Sequence, residues 1–73
     1  MSQHHFVVCI DNANYEAALE LRKIYETIPD HEAARSGLVR VIDESGEDYL
    51  YPTSYFVPIE LPRKAERAML GRT

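Results

Sequence analysis

Residues 38–56, LVRVIDESGEDYLYPTSYF, constrain this chain more than any other stretch, because they read as a β-hairpin. Two runs rich in β-branched and aromatic residues, Leu38 to Asp43 and Asp48 to Tyr51, flank the polar link Glu44-Ser45-Gly46-Glu47. A glycine in such a link takes positive φ without steric cost, which lets the chain reverse tightly. The hairpin predicts a small, mainly β core. It names no substrate and no reaction.

At 73 residues the chain has room for one domain, near the size at which a single core is marginally sufficient. An apolar fraction of 45% is too high for generic disorder. There is no Trp, so five Tyr and two Phe supply the bulk of the core. The single cysteine, Cys9, lies inside the run Phe6-Val7-Val8-Cys9-Ile10 and reads as a small buried hydrophobe. A bridge-free domain of this size fits a reducing compartment. The first residues, MSQHHF, lack the pattern of a signal peptide, and no apolar run approaches bilayer length. The expectation is a cytoplasmic domain without membrane contact.

Charge is distributed unevenly. Residues 1–60 carry four basic and eleven acidic side chains, a net of −7, whereas residues 61–73 carry four basic and one acidic, a net of +3. An acidic body repels phosphate backbones, so nucleic acid is a disfavoured partner for it. Arg63, Lys64, Arg67 and Arg72 could still touch an anionic partner or fold back on the acidic body.

Phe6 to Ile10, closed by Asp11-Asn12, reads as a buried strand ending in a turn. The next segment has two readings. Tyr15, Ala18, Leu21, Tyr25 and Ile28 recur at helical steps, with Asn12 or Asn14 as a cap. Alternatively, residues 12–20 form a long loop and Leu21 to Pro29 a strand, with Ile24, Glu26 and Ile28 alternating against Lys23, Tyr25 and Thr27. Periodicity and propensity favour the helix. Residues 31–37 read as a loop holding one helical turn, capped by Asp30 and stopped by Gly37. Pro52-Thr53-Ser54 is a tight turn before the last strand, Tyr55 to Leu61, and Pro58 marks that strand as an edge. Pro62 opens a short C-terminal helix over about residues 62–70, ended by Gly71.

The order of these pieces from Phe6 to Leu61 resembles the SH3-like small barrel. GEDYLYPTSYFVPIE (46–60) looks like the end of such a domain, where an aromatic-Pro-polar-polar-Tyr stretch makes one helical turn before the last strand. LELRKIYETIPD (19–30) looks like its second strand, entered after a long acidic loop, and Leu38 to Asp43 looks like its third. The wording "CIDN…YE…GEDYLYP" also resembles small bacterial and phage proteins. The resemblance selects loop plus strand over helix for residues 15–28. It implies a mainly β, five-stranded SH3-like small barrel over about residues 5–61, followed by the C-terminal helix. It also places Pro52 and Tyr55 where signalling members line a peptide groove, with Tyr51 and Phe56 as core positions beside them and Glu16 and Glu20 in the charged loop. Leu38-Val39 stands where those members carry a tryptophan pair, so a groove here would be built from Tyr15, Tyr49 and Tyr55.

Other chemistry is weakly encoded. Asp43-Glu44-Ser45-Gly46-Glu47-Asp48 lacks the ligand spacing of an EF-hand and reads as a solvated hairpin tip. One Cys with His4, His5 and His31 offers no zinc spacing. No phosphate loop or nucleophile motif is present. No catalytic, cofactor or metal site is therefore expected, and no enzyme. If Tyr51 enters the core, two-residue alternation takes Tyr49 with it and turns Leu50 out, unless a local bulge reverses the faces; Tyr55 is expected to be exposed. The expected function is a non-catalytic module binding a protein partner, or a second copy of itself, through Tyr15, Tyr49, Pro52 and Tyr55. The alternatives are weak nucleic-acid contact through Arg63, Lys64 and Arg67, and an acidic inhibitor or decoy.

Overall fold

A computed structural model of the chain describes residues 5–69. The fold is mainly β: β1 (His5–Cys9), β2 (Ile24–Ile28), β3 (Leu38–Ile42), β4 (Asp48–Pro52) and β5 (Phe56–Ile59) form one antiparallel sheet in the order β4-β3-β2-β1-β5. A short helix, α1 (His31–Arg35), links β2 to β3, a 3-10 turn over Thr53–Tyr55 links β4 to β5, and α2 (Arg63–Met69) follows the sheet.

The segment of two readings is loop plus strand. Asn14 and Arg22 take positive φ, 73° and 64°, which breaks any continuous helix between them. The helical face would have buried Leu21 and Ile28, yet both are exposed. Alternation governs instead: Tyr25 and Thr27 are buried on one face of β2. At α1 the Asp30 carboxylate accepts from the Ala33 N–H at 3.0 Å, a side-chain cap, and Gly37 leaves the turn at φ 74°.

β4 and β5 are consecutive in the chain but lie on opposite edges of the sheet. In a flat sheet they would stand about 19 Å apart, whereas a three-residue 3-10 link spans only about 8 Å. The sheet must therefore curl until its edges approach. It nonetheless stays open, because β4 and β5 share no ladder, so the closed barrel expected from the sequence is not what the described residues form. Backbone donors explain the gap. The Ile10 N–H bonds Tyr55 O, so by alternation Val57 and Ile59 bond β1 while Phe56 and Pro58 turn their backbone groups to the free edge. Likewise Asp48, Leu50 and Pro52 face the free edge of β4. Pro52 and Pro58 have no N–H to offer there. The seam is bridged by side chains: Tyr51 and Phe56 meet edge to face at 6.3 Å.

The concave face carries the core, with Val7, Cys9, Tyr25, Val41, Tyr51 and Phe56 from the strands and Leu19 from the β1–β2 loop. Phe6 points to the opposite, convex face by alternation but is only 4% exposed. Two hollows beside it carry Met69 in one case and Leu61 and Glu66 in the other, so α2 and its lead-in cover this ring. Leu70, Gly71 and Arg72, the expected end of that helix, lie outside the described residues.

Candidate functional site

The 14 residues from Ile10 to Lys23 join β1 to β2 and form the wall of the site. Arg22 N–H bonds Cys9 O and Cys9 N–H bonds Lys23 O, closing the loop at its base. Inside it, Tyr15 O accepts from Ala18 and Leu19 N–H, and the Asn12 side-chain amide donates to Leu19 O at 2.9 Å. These bonds drive Leu19 inward, where it is fully buried. They also turn Tyr15 onto the seam of the sheet. Its ring meets Tyr51 at 5.0 Å and Tyr55 at 6.1 Å, both edge to face.

Tyr15 remains 38% exposed. Tyr55, expected to be exposed, is half-buried: its ring packs against the core and its hydroxyl donates to Ala13 O at 2.9 Å. Burial, helped by Asp11, raises its pKa. Tyr49 does lie on the same face as Tyr51, registered against Val41, yet it is 50% exposed instead of joining the core. The concave face is not roofed at the hairpin end, so the ring lines an open trough of about 480 Å³ with Ala17, Ala18, Glu44 and Tyr51. Its hydroxyl donates to Glu47 at 2.9 Å, which raises its pKa. Pro52 registers against Leu38 on the convex face, away from Tyr51. The structure thus brings Tyr15, Tyr51 and Tyr55 together, places Tyr49 across the trough, and leaves Pro52 on the other side.

Two carboxylates hold this arrangement, and the sequence had not singled them out. Asp43, read as part of a solvated tip, is only 6% exposed. It accepts from Tyr51 OH and from the backbone and hydroxyl of Ser45. Burial alone would raise its pKa, but these donors outweigh it and the carboxyl sits below its ordinary value. Asp-x-Ser before Gly46 is the trace of the turn in sequence, since an Asp side chain readily accepts from the N–H two residues on. Glu44 accepts from Lys23 and from Tyr25 OH, which lowers its pKa. The Tyr25 hydroxyl in turn accepts from Glu20 N–H at 2.7 Å. The buried Tyr25 and Tyr51 have pKa values raised above the phenol range, chiefly by desolvation, and they act as neutral donors. Side-chain bonds thereby connect hairpin, loop and sheet.

Arg63, Lys64 and Arg67 are all exposed on α2, while Ala65 and Glu66 are half-buried. Cys9 is fully buried, its thiol donates to Asp11 O at 3.3 Å, and burial pushes its pKa up. His4 lies outside the described residues. Among those described, no three His, Cys, Asp or Glu side chains converge as metal ligands, and no helix is long and apolar enough to cross a membrane.

No protein-family model, curated protein or solved structure matches this chain.

Proposed function

We propose that this chain is a non-catalytic protein-interaction module of the SH3-like small-barrel kind, which takes a protein segment against Tyr15, Tyr49 and Tyr55. The strand order β4-β3-β2-β1-β5 and the 3-10 turn joining its two edges support the SH3-like reading. The binding reading rests on one observation: Tyr15 is held edge-on by Tyr51 and Tyr55 while more than a third of it faces solvent. An aromatic ring immobilised in advance loses little entropy on contact and offers a large apolar area. Such rings recur at the energetic centres of interfaces. The trough beyond Tyr15 continues the surface to Tyr49, so an extended segment would meet several rings in turn.

Selection of displayed peptides against the chain, followed by amide shift mapping, tests this. Bound peptides should perturb Tyr15, Tyr49, Tyr51 and Tyr55, and Tyr15→Ala should weaken binding about tenfold or more. Selected peptides that bind Tyr15→Ala and Tyr49→Ala as tightly as the parent, or that map to the convex face, would remove the proposal.

A further inference from the structure

We infer that this chain self-associates by seating the basic face of α2 from one copy in the acidic-rimmed trough of another. Two surfaces carry the inference, and they lie on opposite sides of the sheet. The first is the trough floored by Ala17, Ala18, Tyr49 and Tyr51. Through Ala17 and Glu44 it runs into a second hollow of about 590 Å³, lined by Glu16, Leu19, Glu20, Leu21 and Arg22. Glu16 and Glu20 stand exposed in the lining of the second hollow, and exposed Glu47 lies beside the trough, accepting from Tyr49 OH; none of the three makes an ion pair among the described residues, and Arg22 is the one cation of the second hollow's lining.

The second surface is the outer side of α2. Arg63 and Arg67 are one turn apart, and Lys64 lies beside them. All three are exposed and make no ion pair among the described residues. The opposite side of the helix, with Ala65, Glu66 and Met69, is turned to the convex face. Within one copy the cations therefore cannot reach the trough. Between copies, three cations meet three carboxylates over an apolar floor. Pairing of sheet edges, the usual route for small β proteins to associate, is opposed here, because Pro52 and Pro58 remove donors from both free edges. Reciprocal seating of both helices closes a two-fold, isologous dimer, whereas a one-way contact is heterologous and continues head to tail.

Exposed ion pairs are individually weak and screened by salt, so the association is weak and salt-sensitive. The trough is the one that carries Tyr49 in the partner site proposed above, so the two readings share a surface; charge reversal at α2 leaves every tyrosine in place and therefore tests self-association alone. Sedimentation equilibrium of the full chain, from about 10 to about 500 µM at about 25 mM salt, should show average mass rising with concentration, and about 500 mM salt should return the monomer. Arg63→Glu with Arg67→Glu, and separately Glu16→Lys with Glu20→Lys, should each weaken association about tenfold or more. An equimolar mixture of the two variants, each verified as folded by circular dichroism, should restore it. Monomer throughout at low salt, association that survives both variants, or failure of the mixture to restore it would each overturn the inference. So would an α2 face that retains oligonucleotide at low salt while the chain stays monomeric.

Discussion

The two connections that frame the trough reach the same rigidity by different means. The β3–β4 turn is short and its reversal is built locally: Gly46 at φ 85° reverses the chain, and Asp43 accepts from the Ser45 N–H and hydroxyl, while the Glu44 N–H reaches Ala18 O in the loop. The β1–β2 loop is 14 residues long and depends on the rest of the molecule. Its shape is set by buried Leu19, by the Tyr25 hydroxyl on Glu20 N–H, and by Glu44 N–H on Ala18 O. A turn that satisfies most of its own backbone is specified locally. A long loop must export its unsatisfied groups to other elements. The candidate site sits on the loop for this reason: its side chains were free to be placed by the sheet.

The comparison breaks first at Leu19. Leu19→Ala removes the loop's one fully buried side chain and should destabilise the domain by about 2–5 kcal/mol, enough to unfold much of a chain this small; urea titration reads it. Next is Tyr25→Phe, which strips a buried hydroxyl from both Glu20 N–H and Glu44. A loss of about 1–3 kcal/mol is expected, with faster amide exchange in residues 15–22 and little change in the turn. Equal protection loss in both regions would mean that the loop and the turn are one cooperative unit.

Acid should act on the ties between the two regions. Asp43 and Glu44 titrate below their ordinary values in the folded chain, so the unfolded chain binds protons first. Their contribution is whole above the unfolded carboxylate values of about 4 and is lost as pH falls through the lower folded values. The urea midpoint should hold from neutral pH to about pH 5 and then fall, and Asp43→Asn should flatten the fall. A midpoint that rises on acidification would contradict the assignment. The smallest effect belongs to the turn itself. Gly46→Ala meets no neighbouring atom but retains φ 85°, so only backbone strain is introduced, about 1 kcal/mol.

Legibility followed the same division. The hairpin, the Asp30 cap, the Gly37 stop and Pro58 on an edge strand were all readable, since each is a short-range rule at named residues. Residues 15–28 were not readable from local pattern, because Tyr15, Ala18, Leu21, Tyr25 and Ile28 satisfy a helical period that nothing local forbids; the loop plus strand that the structure has was selected only by the resemblance in the order of elements. Tyr49 and Tyr55 were assigned to the wrong environments for a related reason. Alternation gives the face of a residue, but only the curl of the sheet decides whether that face is covered. Asp43 was missed because its acidic neighbours made the tip look uniformly solvated, while its partner Tyr51 comes from the returning strand.

Short-range rules in the sequence settled β1, the β3–β4 hairpin, the last strand with Pro58 on its edge, and the turns between them, because glycine, proline and side-chain caps act on the backbone within a few positions. The path of the long loop, the open seam between β4 and β5, and the exposure of each tyrosine were set by packing between distant parts of the chain. Those depend on how far the sheet curls and on bonds between residues distant in the chain, as when Tyr55 reaches Ala13. No local pattern encodes such distances.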